Sequence, residues 1–89
     1  MKRTYLEVTF RKGKPVAAYL HLPRANSAKA ARSDAEKHGM VVDFTATGAP
    51  FGVEITAPTL VELGALNDLL YDLNVDEVEP ADLAPLQAA

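Results

Sequence analysis

The chain has 89 residues, no cysteine and a formal net charge of −3. This length fits one small domain, and the absence of cysteine excludes disulfide bonds, thiolate metal sites and cysteine nucleophiles. No apolar run approaches the roughly 18 residues of a membrane-spanning helix, and the N-terminus alternates polar and apolar residues, unlike a signal peptide. With 48% hydrophobic residues, the composition predicts a folded, cytoplasmic protein.

The charges are divided unevenly along the chain. All nine Lys and Arg residues lie between Lys2 and Lys37, and against the three acids of residues 1–38 they give this half a charge of +6. Residues 39–89 contain nine acids and no Lys or Arg, so this half carries −9. Such a division can mark an interaction tail or a nucleic-acid surface. The simpler interpretation is that the two halves lie side by side and partly neutralise each other.

Alternation predicts a first β-hairpin at residues 4–22. A two-residue loop at 12–13 would mix its polar and apolar faces, whereas a three-residue loop at 12–14 keeps them apart. Because a one-residue slip turns a strand inside out, we expect the longer loop. It gives the following apolar pairs on one face: Phe10 with Val16, Val8 with Ala18, and Leu6 with Leu20.

The next segment, residues 23–39, contains no large apolar side chain. Its alanine, lysine, arginine and glutamate residues favour a helix by intrinsic propensity, but such a helix would bury only alanines. The residues alone therefore leave open whether 24–38 is a strand, a helix or a loop.

Alternation returns in GMVVDFTATGAPFGVEITAP, residues 39–58, and predicts a second hairpin at residues 40–56. With the tip at 47–48, every apolar residue lies opposite another on one face: Phe44 and Phe51, Val42 and Val53, Met40 and Ile55. Asp43 and Glu54 then share the other face on adjacent strands, with Gly52 opposite Asp43. A glycine within a strand often marks a bulge or a close backbone approach.

A C-terminal helix is predicted at residues 60–73. Thr59 and Glu62 have the spacing of a capping box, and Asn74 is a suitable residue for the helix to end on. Gly64 suggests that the helix approaches a strand closely. The apolar stripe consists of leucines at helical spacing: Leu60, Leu63, Leu66, Leu69, Leu70 and Leu73.

Residues 75–89 are acidic and interrupted by Pro80 and Pro85, so we expect an extended or loosely docked tail. The remaining patterns predict one α+β domain at residues 1–74. Its antiparallel sheet has four strands in two hairpins, or five if residues 24–38 contain a strand. One C-terminal helix covers the sheet.

The second hairpin resembles a family of small bacterial proteins catalogued as domain of unknown function 2283. The resemblance covers roughly residues 5–58 and is carried by Tyr19-Leu20-His21-Leu22, Val41-Val42-Asp43-Phe44, Gly48, Gly52-Val53-Glu54-Ile55 and Ala57-Pro58. This chain departs from the family at Thr45-Ala46-Thr47, where members have an acid-rich turn, and in its longer C-terminal region. The resemblance implies a third strand within residues 23–39, with Ala31, Ser33 and Ala35 on one face. It implies no established activity.

Two polar groups could carry chemistry. Asp43 and Glu54 lie diagonally across two strands, about 7–8 Å apart, and could share a divalent cation or divide acid and base roles. On the first hairpin, Tyr5 pairs with His21 and Glu7 with Tyr19, an arrangement with acid–base potential. The chain offers no convincing nucleophile beside them, and His21 and His38 are too isolated for a zinc site.

A third group is basic and aromatic. Basic residues with interleaved tyrosines can bind a nucleic-acid backbone and stack bases, but a sequence pI of about 5.2 argues against that role. The residues concerned are Lys2, Arg3, Arg11, Lys12, Lys14 and Arg24 around Tyr5 and Tyr19.

The helix and tail are the best candidates for an interaction surface, since the leucines occupy more of the helix than one sheet face needs. The candidate residues are Leu69, Tyr71, Asp72, Asp76, Glu77 and Glu79. We therefore expect a non-enzymatic protein-interaction module, a homodimer with a possible further protein partner, no cofactor, no nucleic acid and no membrane. One alternative is an antitoxin-like protein whose acidic tail neutralises a basic toxin. Another is a small metal-dependent enzyme that uses Asp43 and Glu54.

Overall fold

A computed structural model describes residues 3–25, 27–36 and 39–87. It confirms the α+β fold and shows an open, five-stranded antiparallel sheet in the order β1-β2-β5-β4-β3. The strands are β1 (Tyr5–Arg11), β2 (Lys14–His21), β3 (Arg32–Glu36), β4 (Met40–Phe44) and β5 (Pro50–Ile55). Helix α1 (Leu63–Asp72) and the short helix α2 (Ala84–Gln87) follow, with 3-10 turns at Pro58–Leu60 and Pro80–Leu83.

The first hairpin has the predicted pairs of Leu6 with Leu20 and Val8 with Ala18, but not the predicted tip. Lys12 and Gly13 both have positive φ, 52° and 79°, as in a two-residue type I′ turn. The faces stay separate because the register shifts between Thr9 and Phe10, so that Phe10 lies opposite Pro15. The predicted three-residue loop and the predicted pairing of Phe10 with Val16 are therefore wrong. Val16 is instead an extra residue in β2, a bulge that keeps the two faces separate.

In the second hairpin, too, a bulge near the tip keeps the polar and apolar faces separate. Met40 pairs with Ile55, Val42 with Val53 and Asp43 with Gly52, as predicted. Phe44, however, lies opposite Pro50, because the register shifts after Asp43. The tip is a longer loop closed by a hydrogen bond from the Thr45 amide to the Ala49 carbonyl (2.8 Å). Phe51 is thus the bulged residue, and its predicted pairing with Phe44 is wrong.

The ambiguous segment contains strand β3, as the resemblance implied. All five of its residues are exposed, so neither burial nor propensity marks it in the sequence. Its register is set by pairing with β4, where Ser33 lies opposite Asp43 and Ala35 opposite Val41. Ser33 therefore shares the face that carries Asp43.

Helix α1 begins three residues later than predicted. Residues 58–60 form a 3-10 turn, and the N-cap of α1 is Glu62, without a side-chain hydrogen bond, and not Thr59 as predicted. The side chain of Thr59 lies outside the described part of the chain. Leu60 is 71% exposed, whereas Leu66, Leu69 and Leu70 are buried. The helix ends at Asp72, one residue before the predicted end, and the predicted stop residue Asn74 follows with a φ of 59°.

The C-terminal residues differ from the expected loose tail. Val78, Leu83 and Leu86 are buried in the same core cluster as the sheet and α1. The side chain of Asn67 in α1 holds Val78 by accepting from its amide (2.8 Å) and donating to its carbonyl (3.1 Å). The region around Gly64 also differs, because a Cβ there would meet nothing within 4 Å. Among the described residues, the predicted close approach of a strand to Gly64 is not found.

Candidate functional site

The helices cover one face of the sheet, and the opposite face carries a connected set of polar and aromatic side chains. Strand pairing places Tyr5 and Glu7 beside His21 and Tyr19. The β2–β5 and β4–β5 pairings continue this face with Glu54 opposite Tyr19 and Asp43 opposite Gly52. We call this surface the open face.

Asp43 is the centre of one half of the open face. Its Oδ2 accepts a hydrogen bond from the Tyr19 hydroxyl (2.6 Å), and its Oδ1 accepts one from the Ser33 hydroxyl (2.5 Å). The carboxylate therefore connects β2 and β3, which are not neighbours in the sheet. Because both of its oxygens are engaged, Asp43 is held in one orientation.

Gly52 makes the Tyr19–Asp43 contact possible. A Cβ built on Gly52 would overlap the ring of Tyr19, so the ring lies across the bare backbone of β5 to reach β4. This is the close approach that the strand glycine predicted. The contact pairs Tyr19 with Asp43 and leaves Glu54 exposed.

The environment of Tyr19 fixes its protonation. Burial raises the pKa of the Tyr19 phenol well above its ordinary value, and the hydrogen bond to Asp43 and the negative charge of that carboxylate raise the pKa further. The group is therefore a neutral hydrogen-bond donor near neutral pH and is unsuited to act as a general base.

His21 is the centre of the other half. Its Nε2 lies 2.8 Å from Glu7 Oε1, and its Nδ1 lies 3.0 Å from Arg24 Nη2. Since a guanidinium can only donate, Nδ1 accepts and the ring proton is on Nε2, which donates to Glu7. The ring stacks on Tyr5 with centroids 4.3 Å apart and meets Tyr19 edge-on at 4.8 Å.

Arg24 extends this half beyond the strands. Its Nη1 donates to the Phe51 carbonyl (2.6 Å), and its Cζ lies 3.7 Å from the centroid of the Phe51 ring. The bulge in β5 places this ring under the guanidinium. Sequence reasoning missed the Arg24–Phe51 contact because the alternation assigned Phe51 to the core face.

Ser33 and His21 lie on strands of the open face that are not neighbours in the sheet. The Ser33 hydroxyl donates to Asp43, whereas His21 contacts Glu7 on β1 and Arg24, which follows β2. Residues 3–25, 27–36 and 39–87 contain no group of three or more His, Asp or Glu side chains placed to hold a metal ion.

The predicted interaction residues separate into two groups. Leu69 is buried against the core, so it contributes to packing and not to a free surface. Tyr71 is 82% exposed. The acids Asp72, Asp76, Glu77 and Glu79 are also exposed. Of the predicted basic group, Lys2 lies outside the described residues, as do Lys37 and His38.

Comparison of the chain with protein-family models, with curated proteins and with solved structures finds no match. The resemblance to domain of unknown function 2283 thus stays a prediction that rests on the residues quoted for it. Within the described part of the chain, no helix is long and apolar enough to cross a membrane.

Proposed function

We propose that this chain is a non-enzymatic protein-interaction module that forms a homodimer through the edge of β1. One observation carries the proposal. Strand β1 is seven residues long and lies at the end of the sheet order, with β2 on one side. Near its end, Phe10 is 50% exposed, and the bulge residue Val16 beside it is also exposed.

The two edges of the sheet differ in how they discourage pairing with another chain. Native edges are commonly blunted by short length, charge or proline. Strand β3 fits that description, because it has five residues and carries Arg32, Asp34 and Glu36 on the face shared with the core. Strand β1 carries Leu6, Val8 and Phe10 on that face and contains no proline. The edge of β1 is therefore the better site for β-strand addition.

The sequence of β1 is self-complementary about Thr9. In an antiparallel pair of two copies with Thr9 opposite Thr9, Val8 of each copy lies opposite Phe10 of the other. Glu7 lies opposite Arg11 in the same register. Threonine pairs, aromatic–β-branched pairs and opposite charges each stabilise an antiparallel pair by about 0.2–1 kcal/mol. Each contact except the central one occurs twice, as a twofold interface requires.

Cysteine cross-linking tests this register, since the chain has no native cysteine. Thr9→Cys should form an intermolecular disulfide under mild oxidation, because directly opposed residues have Cβ atoms about 4.5–5.5 Å apart, within small adjustment of disulfide geometry. The matched control is Ala35→Cys, which places an exposed cysteine on the β3 edge. Cross-linking of Ala35→Cys as fast as Thr9→Cys would contradict the assignment to β1.

Sedimentation tests the dimer without a covalent bond. Phe10→Lys should shift the protein to the monomer, since lysine on an edge strand opposes pairing. Ala35→Lys, on the opposite edge, should leave the dimer intact. A wild-type chain that remains monomeric at its highest soluble concentration would overturn the homodimer.

The exposed acids favour a second candidate, the antitoxin-like protein. Asp72, Asp76 and Glu77 lie on the surface beside the buried anchors of the C-terminal region. A variant with Asp72→Asn, Asp76→Asn and Glu77→Gln removes the charge and keeps the core intact. Deletion of the tail would remove the charge and the buried residues together. A basic protein that co-purifies from the native host should be lost with this variant and with rising salt. Retention of that protein by the variant would contradict the candidate.

A further inference from the structure

A large cavity lies at the end of the sheet where β1 begins and β2 ends. Its volume is about 980 Å³, at the upper end of the range of roughly 300–1,000 Å³ for small-molecule sites. The walls come from four parts of the chain: the residues before β1, the segment after β2, the β4–β5 loop, and the residues at the end of α1. The β1–β2 turn with Lys14 lies at the opposite end of the sheet.

The charge of the walls is mainly positive. Arg3, Arg24 and Lys29 line the cavity, and Asp76 is the acid that lines it with them. The salt bridges among the described residues join His21 to Glu7 and Arg32 to Asp34, so they involve none of these three cations.

Arg24 is held in place before any ligand binds. The Phe51 carbonyl and the Phe51 ring fix its guanidinium, and His21 accepts from Nη2. A guanidinium has five N–H donors, so these two hydrogen bonds leave donors for another acceptor. A fixed cation loses little conformational entropy on binding an anion.

The rest of the lining suits a ligand with a polar and an apolar part. Hydroxyl groups come from Thr4, Ser27, Thr45 and Thr47. Apolar surface comes from prolines, alanines and the aliphatic residues Leu73 and Val75 at the end of α1. A few convergent polar groups in a mostly apolar wall are typical of small-molecule sites.

We propose that this cavity binds a small organic oxyanion, a carboxylate or phosphate monoester with a compact apolar body. The anionic group contacts Arg3, Arg24 and Lys29, and the apolar body lies against the aliphatic wall. The walls all come from one chain, so the proposal does not rest on the proposed homodimer, although Arg3 and Thr4 lie next to the first residue of β1.

Titration of the intact protein with phenyl phosphate and with benzoate, followed by amide NMR shifts, tests the proposal. We expect saturable shifts that concentrate at wall residues such as Thr4, Ala28 and Ala49. Lys29→Gln combined with Arg3→Gln should weaken binding about tenfold or more, as loss of charge-assisted hydrogen bonds predicts. Arg24 is left unchanged in this variant because it also holds His21.

Matched controls distinguish a specific binding site from nonspecific electrostatic attraction of anions to the protein. In the Phe10→Lys background, which should be monomeric, Lys14→Gln removes a charge at the far end of the sheet and should leave the affinity unchanged. Benzyl alcohol, which has a similar body and no charge, should bind much more weakly than benzoate. The proposal is overturned by shifts that do not saturate, by equal losses in the Lys14→Gln variant, or by equal affinity for benzyl alcohol. Stronger binding of phenyl phosphate than of benzoate would identify the phosphate monoester as the preferred class, and the reverse order the carboxylate.

Discussion

At the scale of single residues, Gly52 and Tyr19 depend on each other. Gly52→Ala should lower the free energy of unfolding by about 1–2 kcal/mol, because the new Cβ displaces the Tyr19 ring and breaks its charge-assisted hydrogen bond to Asp43. Urea denaturation measures the change.

A double-mutant cycle separates this cause from a general cost of alanine in a strand. In a Tyr19→Ala background the ring is absent, so Gly52→Ala should cost much less than in the wild-type chain. If the losses of stability from Gly52→Ala and Tyr19→Ala are additive, the contact with the Tyr19 ring is not the reason that alanine is unfavourable at position 52.

The raised pKa of Tyr19 makes stability depend on pH in the alkaline range. The unfolded chain loses this proton as pH rises through about 10, while the folded state retains it because its pKa is higher. The unfolded state then binds fewer protons, so the stability that this group maintains below pH 10 falls as pH rises above 10. Tyr19→Phe should reduce that loss, as followed by urea midpoints on either side of pH 10. An equal loss in wild type and variant would rule out this origin.

At the scale of elements, Gly64 lies exposed in the first turn of α1, where a Cβ would meet nothing within 4 Å. Gly64→Ala should therefore raise the free energy of unfolding by about 0.5 kcal/mol through helix propensity alone. Thermal denaturation gives the comparison, and a destabilised variant would mean that Gly64 has a contact that this structure does not contain.

The strands show what alternation can and cannot predict. It predicts which residues share a face, and the pairs Val8–Ala18 and Val42–Val53 follow from it. It does not predict the tips, because a bulge preserves the faces as well as a longer loop does. Alternation places Asp43 on the polar face, but its two hydroxyl donors, Tyr19 and Ser33, depend on strand β3 and on the missing side chain of Gly52.

The start of helix α1 and the docking of the tail do not follow from the sequence pattern, for a different reason. Thr59 and Glu62 have capping-box spacing, yet residues 58–60 form a 3-10 turn and α1 begins only at Leu63. In the tail, acids and prolines are prominent in the composition, while the buried residues Val78, Leu83 and Leu86 are widely spaced. Intrinsic propensity describes only local conformational preference. The buried side chains of the tail pack against residues that are distant in sequence, so propensity does not predict their docking.

At the scale of the whole molecule, the C-terminal region is part of the single core. Leu83 is 1% exposed, so Leu83→Ala should lower the free energy of unfolding by about 2–5 kcal/mol. Leu60→Ala is the matched control, because the exposed Leu60 side chain should contribute less than about 0.5 kcal/mol. Equal effects of the two substitutions in urea denaturation would contradict the docking of the C-terminal region.

The order of the strands has a consequence for how the chain folds. Pairings β1–β2, β3–β4 and β4–β5 each join strands that are consecutive in sequence, whereas β2–β5 joins strands separated by two others. Two locally formed sheets, a hairpin and a three-stranded meander, must therefore meet along β2 and β5. Since closing that long loop is the step with the largest entropic cost, we expect contacts between Leu20 and Val53 to be largely formed in the transition state. The rate of folding would then be set by the middle of the sheet, and its outer strands would mainly determine how fast the protein unfolds.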